Sequence, residues 1–111
     1  MEITDNHFHL DPFGKKELAV KEFIRAGGTR LVLVHKPYAS WKKIENFKEQ
    51  VETTIKLSKR ARDAGAKVAV VAAPHPVEFV KLLEHYDNNH ASDIYLEAVD
   101  FCINLVEEKV T

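Results

Sequence analysis

Two histidines one residue apart near the start of the chain are the residues best suited to chemistry. His7 and His9 lie within the run Asp5-Asn6-His7-Phe8-His9-Leu10-Asp11. Because side chains on a β-strand alternate between its two faces, a strand here would point both imidazoles the same way. Neutral imidazole is a common ligand of zinc and of neighbouring divalent metals. We therefore predict that His7 and His9 bind one divalent cation; the alternative is two polar residues on a half-exposed strand.

The elements that must position this pair are short apolar strands alternating with amphipathic helices. Gly27-Gly28 is predicted to end the first helix, and Gly65 the second. Ser40 is a suitable N-cap for the second helix, and Pro76 suits the first turn of the third. The predicted strands are 2–9, 30–35 and 67–73, and the predicted helices are 15–26, 41–64, 77–86 and 92 or 93 to 108. This alternation predicts an α/β fold with a parallel sheet. We expect parallel β/α units that form the first three strands of a TIM-type barrel, an incomplete barrel within one domain spanning 1–111.

Further candidate residues follow the ends of the second and third strands. In a parallel β/α barrel the carboxyl ends of the strands form the catalytic face. His35 and Lys36 end one strand and His75 ends another, so we predict that all three contact substrate. The alternative for each histidine is a strand end held by one ring hydrogen bond. Lys36, with Lys42 and Lys43, either attracts a phosphate group or belongs to a solvated helix start.

Composition and charge restrict the class of protein. The 111 residues carry a formal net charge of −1, are 45% apolar and include one cysteine. We therefore expect no basic surface for nucleic acid, no membrane-spanning segment and no disulfide framework. We expect a cytoplasmic location. Cys102 lies on the apolar stripe of the last helix and is predicted to be a buried small hydrophobe. Three strands leave two unpaired sheet edges, which predicts self-association.

The opening run resembles a known family motif. Residues 5–11 are similar to the Asp-x-His-x-His-Leu-Asp opening of TatD-related hydrolases, in the amidohydrolase superfamily. Gly27-Gly28 before the second strand resembles that family's Ala-Gly-Val segment, and His75-Pro76 resembles its Gly-x-His-Pro segment. Residues 98–111 resemble the helix before its fourth strand, and the break at Asp87-Asn88 is similar to an archaeal-type subgroup of predicted metal-dependent hydrolases. We expect this chain to be the N-terminal part of a longer protein.

The resemblance implies a TIM barrel that hydrolyses phosphodiesters with metal-activated water, in the manner of a deoxyribonuclease. It implies one or two divalent ions (zinc, magnesium or manganese) and a small-molecule or nucleic-acid phosphodiester substrate. His7 and His9 would be metal ligands, and Asp5 would support them without binding the metal. The family's other ligands, a glutamate and two histidines, and the aspartate that acts as general base come from later strands. The expected base therefore lies beyond residue 111, and this chain would contain no catalytic residue of its own.

Two other readings of the sequence stay open. Phosphoesterases of the polymerase-and-histidinol-phosphatase type also open with Asp-x-His-x-His, but their pattern continues into Ser-Asp-Gly, whereas Leu10-Asp11-Pro12 follows here. The other alternative is a non-catalytic flavodoxin-like or half-barrel module that binds a partner and no metal. Metal content separates this module from the hydrolase.

Overall fold

The chain folds as a three-stranded parallel sheet whose strands alternate with helices. The computed structural model describes residues 1–36 and 41–107, with the backbone alone at 106 and 107. Its elements are β1 (Thr4–Phe8), α1 (Glu17–Arg25), β2 (Arg30–Val34), α2 (Ile44–Asp63), β3 (Lys67–Val71), α3 (Pro76–Leu82) and α4 (Asn88–Glu107). The strands lie in the order β1-β2-β3, and both pairings are parallel. The predicted α/β class and the parallel β/α units are therefore confirmed.

One face of the sheet is packed against helices. Leu31 and Leu33 of the central strand are buried together with Val20 of α1 and with Leu57 and Ala61 of α2. A second apolar cluster lies among the helices of the later half of the chain and comprises Trp41, Phe47, Val51, Leu82, Ala91, Ala98 and Cys102. Burial of apolar side chains on this scale is the main favourable term that holds such a domain together.

The opposite face of the sheet is open. Val71 of β3 keeps 49% of its surface exposed, and Ala69 of the same strand is exposed as well. At the amino end of this sheet, the Glu2 carboxylate lies 2.9 Å from the Lys67 ammonium and 3.2 Å from the Arg30 guanidinium. Parallel strands are normally covered on both faces, whereas the described residues cover only one face of this sheet.

The turn between α1 and β2 depends on its two glycines. Gly27 has a φ of +106°, a left-handed conformation that costs a glycine little. Gly28 is buried, and a Cβ atom at that position would lie 2.2 Å from the Phe23 ring. The chain can therefore turn closely around Phe23 only because position 28 has no side chain.

Several predicted boundaries are wrong in instructive ways. Helix α2 begins at Ile44, not at Trp41, which lies buried before it; Ser40, the predicted N-cap, lies outside the described residues. Helix α4 begins at Asn88 because the Asp87 carboxylate accepts the backbone N–H of His90 at 2.8 Å, so the polar break is a helix start. Leu18 of α1 and Ile103 of α4, apolar residues that helical periodicity predicts to lie on buried stripes, are exposed. Across the two described stretches, no helix is both long and apolar enough to cross a bilayer.

Candidate metal centre

The two histidines of the opening motif lie side by side at the carboxyl end of β1. Their ring centroids are 4.7 Å apart and their planes are nearly perpendicular, at 87°. Both side chains are exposed. The pairing of β1 with β2 shifts register between Asp5 and Phe8, and such irregularities re-aim side chains at functional strand ends. The sequence spacing thus correctly predicts that the two imidazoles share one side of the chain.

The ring of His9 has a fixed orientation and a fixed proton position. Its Nδ1 lies 2.9 Å from the backbone oxygen of Val34, at the end of the neighbouring strand β2. Because a carbonyl oxygen can only accept, Nδ1 must carry the hydrogen, and a neutral His9 has its lone pair on Nε2. Metal-binding histidines are commonly oriented by this kind of hydrogen bond from the other ring nitrogen. A neutral His9 therefore has the tautomer and the ring orientation that a metal ligand needs.

Asp5 supports the position of His7 through the backbone. Its Oδ1 atom accepts the backbone N–H of His7 at 3.0 Å. This bond fixes the backbone that carries the His7 side chain. Among the described residues, the Asp5 carboxylate makes no hydrogen bond to either imidazole ring. A supporting role for Asp5 stays a prediction that this contact favours.

His35, predicted to contact substrate, is a buried residue. Only 6% of its surface is exposed, and its ring packs edge-on against Phe47 with centroids 5.9 Å apart. Its Nδ1 lies 2.7 Å from the Thr54 hydroxyl oxygen. Burial, and next the nearby charge of His9, lower the pKa of His35 to about 4, so the ring is neutral at neutral pH. These contacts favour the structural interpretation of His35 over substrate contact.

His75 forms the N-cap of α3. Its Nδ1 accepts the backbone N–H of Val77 at 3.1 Å, and its own backbone N–H donates to the Glu78 carboxylate at 3.1 Å. This reciprocal arrangement is a capping box, with histidine in the place that serine or threonine usually holds. Because Nδ1 accepts, a neutral His75 carries its hydrogen on Nε2. The exposed His75 ring can therefore donate a hydrogen bond to a ligand while it caps the helix.

The lysines after β2 are solvent-exposed. Lys36 follows the buried His35, and Lys42 and Lys43 precede α2. Lys43 is the N-cap residue of α2, but its side chain makes no capping hydrogen bond. The backbone oxygen of Lys42 accepts the Tyr86 hydroxyl at 3.1 Å, which fixes its backbone but leaves its ammonium in solvent. Attraction of a phosphate by these lysines stays a prediction. Tyr38, an aromatic residue of the same segment that could stack on a nucleic-acid base, lies outside the described residues.

A buried carboxylate that the sequence analysis did not single out connects two of the loops at this end of the sheet. Glu78 is 4% exposed, and its carboxylate accepts the indole N–H of Trp41 in addition to the backbone N–H of His75. Burial raises the pKa of Glu78 above its usual value. The three-residue spacing from His75 to Glu78 is that of a capping box, and this pattern could have identified the pair. Glu78 joins the segment before α2 to the loop after β3.

The single cysteine of the chain is not part of this site. Cys102 of α4 is buried, as predicted, and burial raises the pKa of its thiol to about 11. A thiol at such a pKa is protonated at neutral pH and is a poor nucleophile and a poor metal ligand. Cys102 is a packing residue of the second apolar cluster.

The residues present fit two positions of a metal site. In residues 1–36 and 41–107, no three histidine, cysteine, aspartate or glutamate side chains come together as a metal-binding group. Two imidazoles match the nitrogen ligands that zinc and similar metals prefer, whereas a hydrolytic metal usually has three protein ligands. The pair thus offers two of the ligands that such a centre would need. The chain matches no protein-family model, no curated protein and no solved structure at a significant level.

Proposed function

We propose that this chain is part of a metal-dependent hydrolase of the TatD-related type, acting on phosphodiesters. One observation carries the proposal: His9 donates Nδ1–H to the Val34 oxygen while His7 lies against it, at the carboxyl end of a parallel strand. That end of a parallel sheet is where β/α folds place their ligands. The open sheet face is further support for a larger barrel of which these are the first three strands.

His7 and His9 would hold the metal, His9 through Nε2, the nitrogen that its bond to Val34 leaves free. When bound, a divalent zinc, magnesium or manganese ion supplies a water of lowered pKa and polarises the phosphoryl group. The chain's other residues would bind and orient the substrate. Lys36 is exposed and follows by two residues Val34, whose oxygen holds His9, so it can attract a phosphate. The Nε2–H of His75 can donate to a phosphate oxygen. The general base of such an enzyme would lie outside these residues.

Metal content tests the first half of the proposal. The chain is freed of metal with a chelator, dialysed separately against zinc, manganese and magnesium, and assayed by plasma mass spectrometry. The variant is the double substitution His7→Ala, His9→Ala, and the matched control is His85→Ala, His90→Ala, which removes two exposed histidines away from β1. We expect bound metal in the wild type and the control and its loss in the variant. Equal metal content in all three would contradict a metal site at the pair.

Hydrolysis tests the second half. The metal-loaded chain is incubated with bis(p-nitrophenyl) phosphate and with short DNA duplexes, and release of nitrophenol or nucleotide is measured. Because the expected general base lies outside these residues, we expect hydrolysis that is slow but depends on the metal and is absent from the His7→Ala, His9→Ala variant. Metal binding without even this slow hydrolysis would contradict the hydrolase assignment for this chain. Neither binding nor hydrolysis would favour the alternative function, a non-catalytic α/β module that binds a partner.

A further inference from the structure

The backbone of His75 is held from both sides, although its imidazole ring is exposed. Just before it, the oxygen of the buried Pro74 accepts the hydroxyl hydrogen of Tyr95, a residue of α4, at 3.1 Å. At His75 itself, the backbone N–H donates to the Glu78 carboxylate at 3.1 Å, and the ring Nδ1 accepts the backbone N–H of Val77 at 3.1 Å. Residues that bind a ligand benefit from such support, because a side chain that is already oriented loses less entropy on binding.

Glu78 is the buried member of this arrangement. Its carboxylate makes two hydrogen bonds, which hold the backbone of His75 and the indole ring of Trp41. A carboxylate is costly to bury unless such bonds replace its contacts with water. The two bonds use different oxygen atoms, Oε1 toward His75 and Oε2 toward Trp41. They can therefore be removed separately.

We infer that Glu78 is a positioning residue for the substrate and acts through His75, whose Nε2–H donates to a phosphate oxygen of the phosphodiester. The bond from the Val77 N–H keeps Nδ1 of His75 as an acceptor, so the neutral ring keeps its hydrogen on Nε2. The bond from His75 to Glu78 fixes the backbone that carries this ring. The inference rests on the proposed function for the class of substrate, and on contacts made within residues 41–95 for the role of Glu78.

Three variants separate positioning from stability. Glu78→Leu removes both bonds of the carboxylate. Glu78→Gln keeps an amide oxygen, which can complete a capping box, but it loses the charged acceptor of the Trp41 bond. Trp41→Phe removes the indole donor and leaves the bond from His75 to Glu78. All three variants should lose stability, whereas Glu78→Leu alone should release His75.

Substrate contact is measured in two ways. Dimethyl phosphate, a simple phosphodiester, is titrated into nitrogen-15-labelled chain in the presence of zinc, and the Nε2 resonance of His75 is followed by NMR. Steady-state kinetics with bis(p-nitrophenyl) phosphate then give KM and kcat. In Glu78→Leu we expect dimethyl phosphate to bind about tenfold more weakly and KM to rise about tenfold at similar kcat. Glu78→Gln should recover most of this loss, and Trp41→Phe should resemble the wild type.

A variant at His75 keeps the test independent of folding. His75→Ser retains a side chain that caps α3 but has no Nε2–H. Its KM should rise at least as much as that of Glu78→Leu, while its stability stays near that of the wild type. A wild-type KM in His75→Ser would overturn the inference even if Glu78→Leu did not fold.

Other outcomes distinguish this inference from the proposed function. A KM that rises equally in Glu78→Leu and Trp41→Phe, in step with lost stability, would show that Glu78 is a structural residue only. A His75 resonance that dimethyl phosphate does not shift in the wild type would overturn the contact itself, without affecting metal binding by His7 and His9. If the wild type hydrolysed no phosphodiester with any metal, the proposed function would fail, and the dimethyl phosphate titration would still decide the role of Glu78.

Discussion

The Nδ1 atom of His35 lies 2.7 Å from the hydroxyl oxygen of Thr54, inside the interface between β2 and α2. The Thr54 hydroxyl in turn donates to the backbone oxygen of Gln50 at 3.3 Å, so it accepts from His35. His35 therefore carries its hydrogen on Nδ1, and its Nε2 atom, buried and without a hydrogen-bond partner among the described residues, cannot gain a proton without loss of stability.

The first prediction concerns the pH dependence of stability. The pKa of His35 is about 4 in the folded chain, below the value of 6.5 for a free histidine. Between these two pH values, His35 is therefore protonated in the unfolded chain and neutral in the folded chain. The free energy of unfolding therefore keeps the full contribution of neutral His35 above about pH 6.5. This contribution, on the order of 3 kcal/mol in total, is lost as the pH falls toward 4. Urea unfolding of metal-free protein between pH 7.5 and 4.5 (about three pH units) measures this loss.

The substitution His35→Gln should flatten that dependence, since the titrating group is gone. Its matched control is His85→Gln, which removes an exposed histidine and should keep the wild-type slope. If wild type and His35→Gln lost stability in parallel as the pH fell, the burial of a neutral imidazole at this position would be wrong.

The second prediction concerns the bond from Trp41 to Glu78. Trp41→Phe removes the indole donor and leaves a carboxylate oxygen of the buried Glu78 without it, which should cost about 1–3 kcal/mol of unfolding free energy. Glu78→Gln should lower the free energy of unfolding by less in the Trp41→Phe background than in the wild type. A double-mutant cycle by urea unfolding should give a coupling of about 0.5–3 kcal/mol. Glu84→Gln, an exposed neighbour on the same segment, should show no coupling. Strict additivity between Trp41 and Glu78 would exclude an energetically significant bond.

The third prediction concerns the turn before β2. Gly28→Ala places a Cβ atom 2.2 Å from the Phe23 ring and should cost about 1–3 kcal/mol. Phe23→Leu removes the ring atoms that clash, so the double variant should be more stable than the sum of the two single losses predicts. Gly14→Ala, where the nearest atom would be the Asp11 Cβ at 3.3 Å, should cost less. Thermal unfolding of the four variants decides the matter.

The element order could be predicted from the sequence because strands and helices here differ strongly in pattern. The run Leu31–Val34 is continuously apolar and forms the central strand, and Gly27 and Gly65 lie just after helices α1 and α2 with positive φ values. Boundaries were harder to predict where tertiary contacts override local pattern. Trp41 has the position of a helix start, but its indole is held by Glu78, a residue 37 positions away.

The candidate site was predictable in part for the same reason. The two-residue spacing of His7 and His9 determines their common side within a strand, and the contact between their rings follows from it. The bond from His9 to Val34 joins atoms 25 residues apart and depends on the pairing of β1 with β2, which no local pattern contains. Likewise, the position of His35 after a strand did not indicate on which face of the sheet its side chain would lie. The side chain lies on the face that packs against α2, and it is buried there.

The last prediction separates the possible roles of Asp5. Its Oδ1 atom accepts the backbone N–H of His7, a bond that the amide oxygen of asparagine can also accept. If Asp5 acts by holding the backbone, Asp5→Asn should keep zinc affinity near the wild-type value. Asp5→Ala should weaken it by about tenfold or more, the usual effect of losing a residue that positions a ligand. Competition with a chromophoric chelator measures the affinity.

Asp11→Ala is the control for this series, because Asp11 makes an equivalent bond to the backbone N–H of Phe13 at 2.7 Å, just after the pair. Its loss should leave zinc affinity unchanged. Should Asp5→Asn weaken zinc binding as much as Asp5→Ala, the negative charge of Asp5 and not its hydrogen bond would be what the metal needs. Asp5 would then act on the metal through its charge, as a third ligand from this chain or as a nearby carboxylate, and not through the His7 backbone.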